Sequence, residues 1–309
     1  MKDNDSDLTT DEFRNLPTVS VIVPAYNAEN NIANLIESLL DLDYPQELLE
    51  LIMVDNNSTD RTKEIIKKYP VKLLEENSIQ SSYAARNKGI KHARGEIIAF
   101  TDSDCIATKQ WVREGVNALV SENADLVAGK VEFIFSKKKT AAEFFDSITN
   151  LQTESYVKEG FATTANLFVS SSVFRKIGVF PEKTKSGGDT QWTLRATKNG
   201  YSLIYAPKAI VKHPARPLML LFKKKYRVGK GLPHIWLEEG KEFWNLSFTL
   251  KRFIPPRFST VKRNKYSRLP ENTDKSFFSI WLISYFCDIS TGLGVLASYL
   301  TELKNRFLK

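Results

Sequence analysis

Short apolar runs alternate with amphipathic stretches through the first hundred residues of the chain. Val19-Ser20-Val21-Ile22-Val23 predicts a buried strand closed by Pro24 and the loop Ala25-Tyr26-Asn27. Ile32, Leu35, Ile36, Leu39 and Leu40 then recur at the spacing of a single helical face. Leu51 to Val54 predicts a second strand. It ends in the polar turn Asp55-Asn56-Asn57-Ser58-Thr59-Asp60, where Ser58 or Thr59 can cap a helix carrying Ile65 and Ile66. Val71 to Leu74 predicts a third strand and Tyr83 to Ala93 a helix stopped near Gly95. Ile97-Ile98-Ala99-Phe100 is a fourth strand that runs into Thr101-Asp102-Ser103-Asp104. Strands that read as unbroken apolar runs are covered on both faces, and regular strand–helix alternation marks a parallel α/β sheet. The loop after the first strand holds Pro24, Tyr26 and Asn27 and no Gly-x-Gly-x-x-Gly, which argues against dinucleotide binding.

After Asp104 the pattern is mixed. A helix over Trp111 to Val120 precedes an extended strand over Leu126 to Phe135, a helix over Ala141 to Val157 and a short strand over Asn166 to Val169. Ser171 is placed to cap a helix over Ser172 to Ile177 that Gly178 stops. Gly187-Gly188 makes a permissive loop before a helix from Asp189 to Lys198, ended by Gly200, and Tyr201 to Tyr205 predicts a further strand. No internal repeat is visible.

The remainder differs in kind. Lys223 to Lys230 is basic, Leu232 to Trp244 is rich in aromatics, and residues 251–270 are basic with Pro255 and Pro256. Phe277 to Leu300 is largely apolar but contains Asp288, and a charge in mid-span is costly for a membrane helix. Two readings stay open: a packed amphipathic helix pair, or an interfacial element lying on an anionic membrane surface beside the basic segments. The pattern therefore divides the chain into a flexible, polar tail over 1–16, a main domain over 17–215, and a basic, aromatic, mainly helical C-terminal extension over 216–309.

A chain of 309 residues, 42% hydrophobic and 26% charged, has the composition of a folded protein, which excludes wholesale disorder. Its net charge of +8 comes with basic clusters at Lys137-Lys138-Lys139, Lys223-Lys224-Lys225 and Lys262-Arg263. Such clusters suit nucleotide phosphates or an anionic membrane surface, and charge alone gives little reason to expect nucleic acid as a partner. Two cysteines, Cys105 and Cys287, are too few for a disulfide framework. With no apolar leader in the tail, they imply a reducing, cytoplasmic setting. The chemistry concentrates at Asp102-Ser103-Asp104. Two carboxylates one residue apart at the carboxyl end of a buried strand repel each other, and a divalent cation shared with substrate phosphates relieves this. Asp189 sits where a helix begins and reads either as a cap or as a base. Asp60 reads as a first-turn helix acid and Trp111 and Trp192 as core or pocket wall.

Taken together, Val21-Ile22-Val23-Pro24-Ala25-Tyr26-Asn27, Val54 to Asp60, Ala85-Arg86-Asn87-Lys88-Gly89, Asp102-Ser103-Asp104 and Gly188-Asp189 resemble the motifs of the inverting glycosyltransferases of family 2. They stand in that family's order and cover about residues 17–215. The resemblance implies the GT-A fold, a Rossmann-like, mostly parallel central sheet flanked by helices. It implies that Pro24 and Tyr26 line the nucleotide pocket, that Asp55 contacts the base, and that Arg86 lies near the nucleotide. Asp102 would approach the ribose with Ser103 in the same nucleotide-sugar set, and Asp104 would hold Mn2+ or Mg2+ against the diphosphate, with His213 completing the metal shell. Asp189 would be the general base.

The implied reaction is transfer of a single sugar from a nucleotide-diphosphate sugar, UDP by default, to the hydroxyl of a sugar or lipid-linked acceptor in glycan or glycolipid biosynthesis. Three departures stand out. Asn56-Asn57 replaces the family's common second acid and glycine, Gly188 stands where an acid often precedes the base, and the Gln-x-x-Arg-Trp motif of the processive members is not found. A nucleotidyltransferase would need a Gly- and Lys-rich loop after the first strand. A non-catalytic nucleotide-sugar or glycan-binding protein on the same fold would bind donor alike before and after Asp189→Asn, without turnover.

Overall fold

The computed structural model describes residues 16–184, 186–238, 240–269 and 276–307, so nearly all of the expected N-terminal tail lies outside the described residues. Eight strands, β1 (Val19–Ala25), β2 (Leu49–Asp55), β3 (Lys72–Glu75), β4 (Ile97–Thr101), β5 (Ile106–Ala107), β6 (Leu126–Ile134), β7 (Asn166–Ser170) and β8 (Leu203–Pro214), form one sheet in the order β3-β2-β1-β4-β7-β6-β8-β5. The first four are mutually parallel where they pair, whereas β7 is antiparallel to both β4 and β6. Helices α1 (Ile32–Leu40), α2 (Thr62–Ile66), α3 (Ser82–His92), α4 (Trp111–Ser121), α5 (Ala141–Thr149), α6 (Thr153–Lys158), α7 (Ser171–Ile177) and α8 (Gly188–Lys198) flank it.

The side-chain period of two sorts the strands between two cores. Val19, Val21 and Val23 face a layer containing Ile32, Leu35 and Trp111, and Ile22 faces the other, with Ala85, Phe174 and Trp192. Burying each large aliphatic side chain is worth about 1.5–3 kcal/mol, so the two layers fix where the carboxyl ends of β1, β2 and β4 emerge.

Four local expectations are corrected. Ser58 and Thr59 do not cap α2. Asn57 turns left-handed (φ 64°), the Ser58 hydroxyl accepts the Asn27 N–H at 3.0 Å, and the Thr59 N–H donates to the Asn27 side chain at 2.8 Å. The N-cap position is Arg61, without a side-chain cap, and the Asp60 carboxylate just before it accepts the Thr62 N–H at 3.0 Å. The helix expected over 141–157 is two helices, because Leu151 takes φ 54° and the Asn150 side chain turns back to Asp146 at 2.7 Å. Helix α7 begins at Ser171 itself, although Gly178 ends it as expected with φ 78°. The strand expected over 201–205 runs on to Pro214, since a register shift between Gly129 and Lys130 lets residues 207–209 bulge out and β8 pair with β6 again from Ile210 to Pro214.

Beyond the sheet the chain is helical: α9 (Leu218–Glu238), α10 (Leu246–Lys251), α11 (Phe258–Asn264) and α12 (Phe277–Phe307). Helices α9 and α12 cross where Gly229 meets Gly294 and Thr291, so closely that a Cβ on either glycine would enter the other helix's backbone. Two further apolar clusters lock them, one joining Phe145, Leu221, Val261 and Ile280 and the other Phe243, Val295 and Tyr299.

Candidate active site

A cleft of about 790 Å³ lies at the carboxyl ends of β1 and β4, where an open α/β sheet presents its ligands. One wall is Pro24 and Tyr26, the latter 53% exposed at the rim. The floor is Asp102-Ser103-Asp104. Asp55 lies behind the wall formed by its neighbour Asn56 and is fully buried. One of its oxygens accepts the Ser58 N–H at 3.2 Å, and the other has no partner among the described residues. A buried carboxylate oxygen without a donor is costly, so this atom is set to accept an N–H.

Arg86, on α3 and almost wholly buried, donates from Nη2 to Asp102 Oδ1 at 2.5 Å. The guanidinium therefore offsets one of the two adjacent carboxylates and fixes its orientation. Asp104 turns the other way, towards His213. That histidine, on β8, is completely buried: Nδ1 lies 2.7 Å from the Pro214 carbonyl and Nε2 3.5 Å from Asp104 Oδ2. The carbonyl can only accept, so Nδ1 carries the proton and the Nε2 lone pair faces the carboxylates and the Arg216 guanidinium, 2.9 Å away. One ligand atom each from Asp102, Asp104 and His213 fall within 4.8 Å of one another. Two carboxylate oxygens and an imidazole nitrogen, its other nitrogen anchored on a backbone carbonyl, fit a divalent cation once the Arg216 guanidinium gives up the Nε2 lone pair.

Asp189 stands across the cleft in the first turn of α8. The N-cap of that helix is Gly187 (φ 82°), and the Asp189 Oδ1 also accepts the Thr190 N–H of the first turn at 3.0 Å. Tyr83 Oη donates to Asp189 Oδ1 at 2.9 Å, and the Thr164 N–H donates to Oδ2 at 3.2 Å. Burial and the neighbouring Asp189 charge push the Tyr83 phenol well above its ordinary range, so it stays a donor at any working pH.

The remaining wall is one that reading the chain did not assign. Arg216, Leu220, Lys223, Lys224 and Arg227, most of them on α9, line the same cleft as the acids. Arg216 is paired with the buried Asp146 at 3.3 Å; Lys223, Lys224 and Arg227 have no ion-pair partner among the described residues. Burial, with Arg216 beside it, lowers the Lys224 ammonium to about 7. The Lys223–Lys225 cluster was visible as charge, but nothing local told a cleft wall from a solvated face. Tyr83 and Thr164 carried no signal beyond Tyr83's place three residues before Arg86.

The glycosyl transferase family 2 model matches residues 20–178, over half of the chain, and the chain belongs to that family; the protein is a glycosyltransferase. It is 39% identical over 292 residues to the glycosyltransferase AglE of Haloferax volcanii, covering 91% of this chain and 96% of that one. Among solved structures, Staphylococcus aureus TarS 1–349 in complex with UDP-GlcNAc superposes with a TM-score of 0.55 at 20% identity over 92% of both chains. The mannosyltransferase PcManGT of Pyrobaculum calidifontis, in complex with GDP-Man and Mn2+, superposes with a TM-score of 0.54 at 20% identity over 92% of this chain and 75% of that one. At such identities these two show the fold, which is the expected GT-A arrangement.

Proposed function

We propose that the protein is a metal-dependent, inverting enzyme that moves one sugar from a nucleotide-diphosphate sugar, UDP by default, to an acceptor hydroxyl. The observation that carries this reading is the one cleft that gathers Asp102 and Asp104, with His213 beside them, together with Asp189 and the cations Lys223, Lys224 and Arg227. Pro24 and Tyr26 flank the nucleotide, the unpartnered Asp55 oxygen receives an N–H of the base, and Asp102 and Ser103, braced by Arg86, meet the ribose. Asp104 and His213, with Asp102, hold Mn2+ or Mg2+. Imidazole favours the transition ion, so Mn2+ is the expected one. Bound there, the cation neutralises charge on the departing diphosphate. The α9 cations take the diphosphate oxygens on the far side.

Asp189 is the base. It accepts the proton of the acceptor hydroxyl as that oxygen attacks the anomeric carbon from the face opposite the diphosphate. Tyr83 and Thr164 aim the carboxylate. One displacement with no covalent intermediate inverts the anomeric centre. The acceptor is a sugar or a lipid-linked sugar in glycan biosynthesis, met at the cytoplasmic face of a membrane.

The test is thermal stabilisation across a panel of nucleotide diphosphates, with and without manganese, followed by transfer assays and anomeric analysis of the product. A manganese-dependent shift with one diphosphate, lost in Asp104→Ala, is the expected result. No shift with any nucleotide sinks the donor-site assignment. Nucleotide binding without turnover in any acceptor screen favours a binding protein on this fold.

A further inference from the structure

The exposed apolar surface of the molecule is concentrated in the C-terminal helices. Among the described residues, all but four of the large exposed apolar side chains follow residue 217, the four being Tyr26, Val120, Ile134 and Val179. On α12 they make a stripe. Phe278, Phe286, Leu293 and Leu300 are exposed, and half-buried Leu282 and Ile289 fill the gaps at helical spacing, so one outward face is apolar over about 33 Å at about 1.5 Å per residue. The opposite face, with Ile280, Ser284, Cys287, Thr291 and Val295, is buried. The segment before α11 lies on the same helix: Trp281 Nε1 donates to the Pro256 carbonyl at 2.8 Å, and Phe258 stacks on Trp281 at 4.8 Å. This sets Ile254 and Phe258, each more than half exposed, on the same side as Phe278.

Charge is partitioned in the same way. Residues 216–309 hold eighteen Lys and Arg against seven Asp and Glu, and residues 1–215 are net acidic by three. Residues 245–269 contain no acid, and exposed Lys251, Arg257, Lys262 and Arg263 sit on α10, on α11 or just before α11, the helices that pack against α12.

We infer that this face docks on an anionic bilayer, with α12 lying in the plane of the interface, its stripe turned to the acyl chains and the α10–α11 cations at the headgroups. The inference deepens the membrane-surface reading above and rests on it. Apolar area and basic charge on one face together are what an interfacial element needs. A span by α12 would take its paired Asp288 and Arg252, 2.5 Å apart, and Ser284 with its Lys265 partner into hydrocarbon, together with the charged flank of α9. A second copy on the same face would bring two basic rims together.

Flotation of the full chain with phosphatidylcholine vesicles, with and without phosphatidylglycerol, tests this. Binding is expected only with the anionic lipid, weakened by salt and released by alkaline carbonate. Phe278→Asp with Phe286→Asp should weaken it about tenfold or more, and so should Lys262→Glu with Arg263→Glu, which alters only exposed charge. The manganese-dependent response to nucleotide, read on the same samples, should survive in both variants, so docking can fail while the donor site stands, and the reverse. Absence of binding, insensitivity to both variants, retention through carbonate as for a span, or a dimer that the Phe pair abolishes would each overturn the inference.

Discussion

Asp189 takes two of its donors from distant segments, Tyr83 on α3 and Thr164 before β7, and together they fix where its oxygens point. Asp189→Asn is expected to lower transfer by about 10²–10⁴-fold while nucleotide binding persists, as calorimetry with the diphosphate would show. Tyr83→Phe removes the donor that aims Asp189 Oδ1, so kcat should fall by up to about 10²-fold with fold and donor affinity intact, as steady-state kinetics beside nucleotide titration would show. The Lys224 ammonium is lowered to about 7 by burial and by Arg216, with Lys225 and Arg227 adding and Asp146 opposing. The folded chain therefore binds fewer protons than the unfolded chain between about pH 7 and the ordinary lysine range, so this residue makes stability rise as pH rises through that window. A diphosphate holds the ammonium charged, so nucleotide affinity should fall from about pH 6.5 to about pH 8.5, and Lys224→Met should flatten both dependences. Titration of nucleotide affinity and melting temperature against pH checks this.

At the scale of elements, the cleft is completed by a helix that the sheet does not hold. Helix α9 is kept in place by α12 through the Gly229–Gly294 crossing. Gly294→Leu forces the helices apart. Overpacking of this kind costs about 1–3 kcal/mol, and withdrawal of Lys223, Lys224 and Arg227 should weaken nucleotide binding although no site residue has changed. Urea melts beside nucleotide titrations separate the two effects. Arg216 joins elements too, bridging Asp146 on α5 to His213 on β8. Its replacement by Met leaves Asp146 buried without its cation and should cost about 3 kcal/mol, seen in the same melts. Removing residues 277–309 strips both C-terminal clusters of their partner helix, so that truncation reports on stability before it reports on location.

For the whole molecule, reading the chain established what depends on local order. Apolar runs fixed the first four strands, because a buried strand must be apolar wherever it packs. The acids fell at strand ends because the residue after such a run is the first to meet solvent, and Asp55, Asp102 and Asp104 were legible for that reason. Asp189 was legible through its glycines, and His213 only as a histidine near a strand. What the tertiary structure decided is every pairing between distant segments. Tyr83 meets Asp189 across 106 positions, Arg216 reaches back 70 positions to Asp146, and β8 brings His213 to Asp104 only because it outruns its expected end. The basic run at Lys223 became a cleft wall, and the apolar run at Phe277 became a helix with one buried and one bare face. Hydrophobic periodicity reports whether a side chain needs cover. Which neighbour supplies that cover is settled by packing over the whole chain, and no local window of sequence contains it.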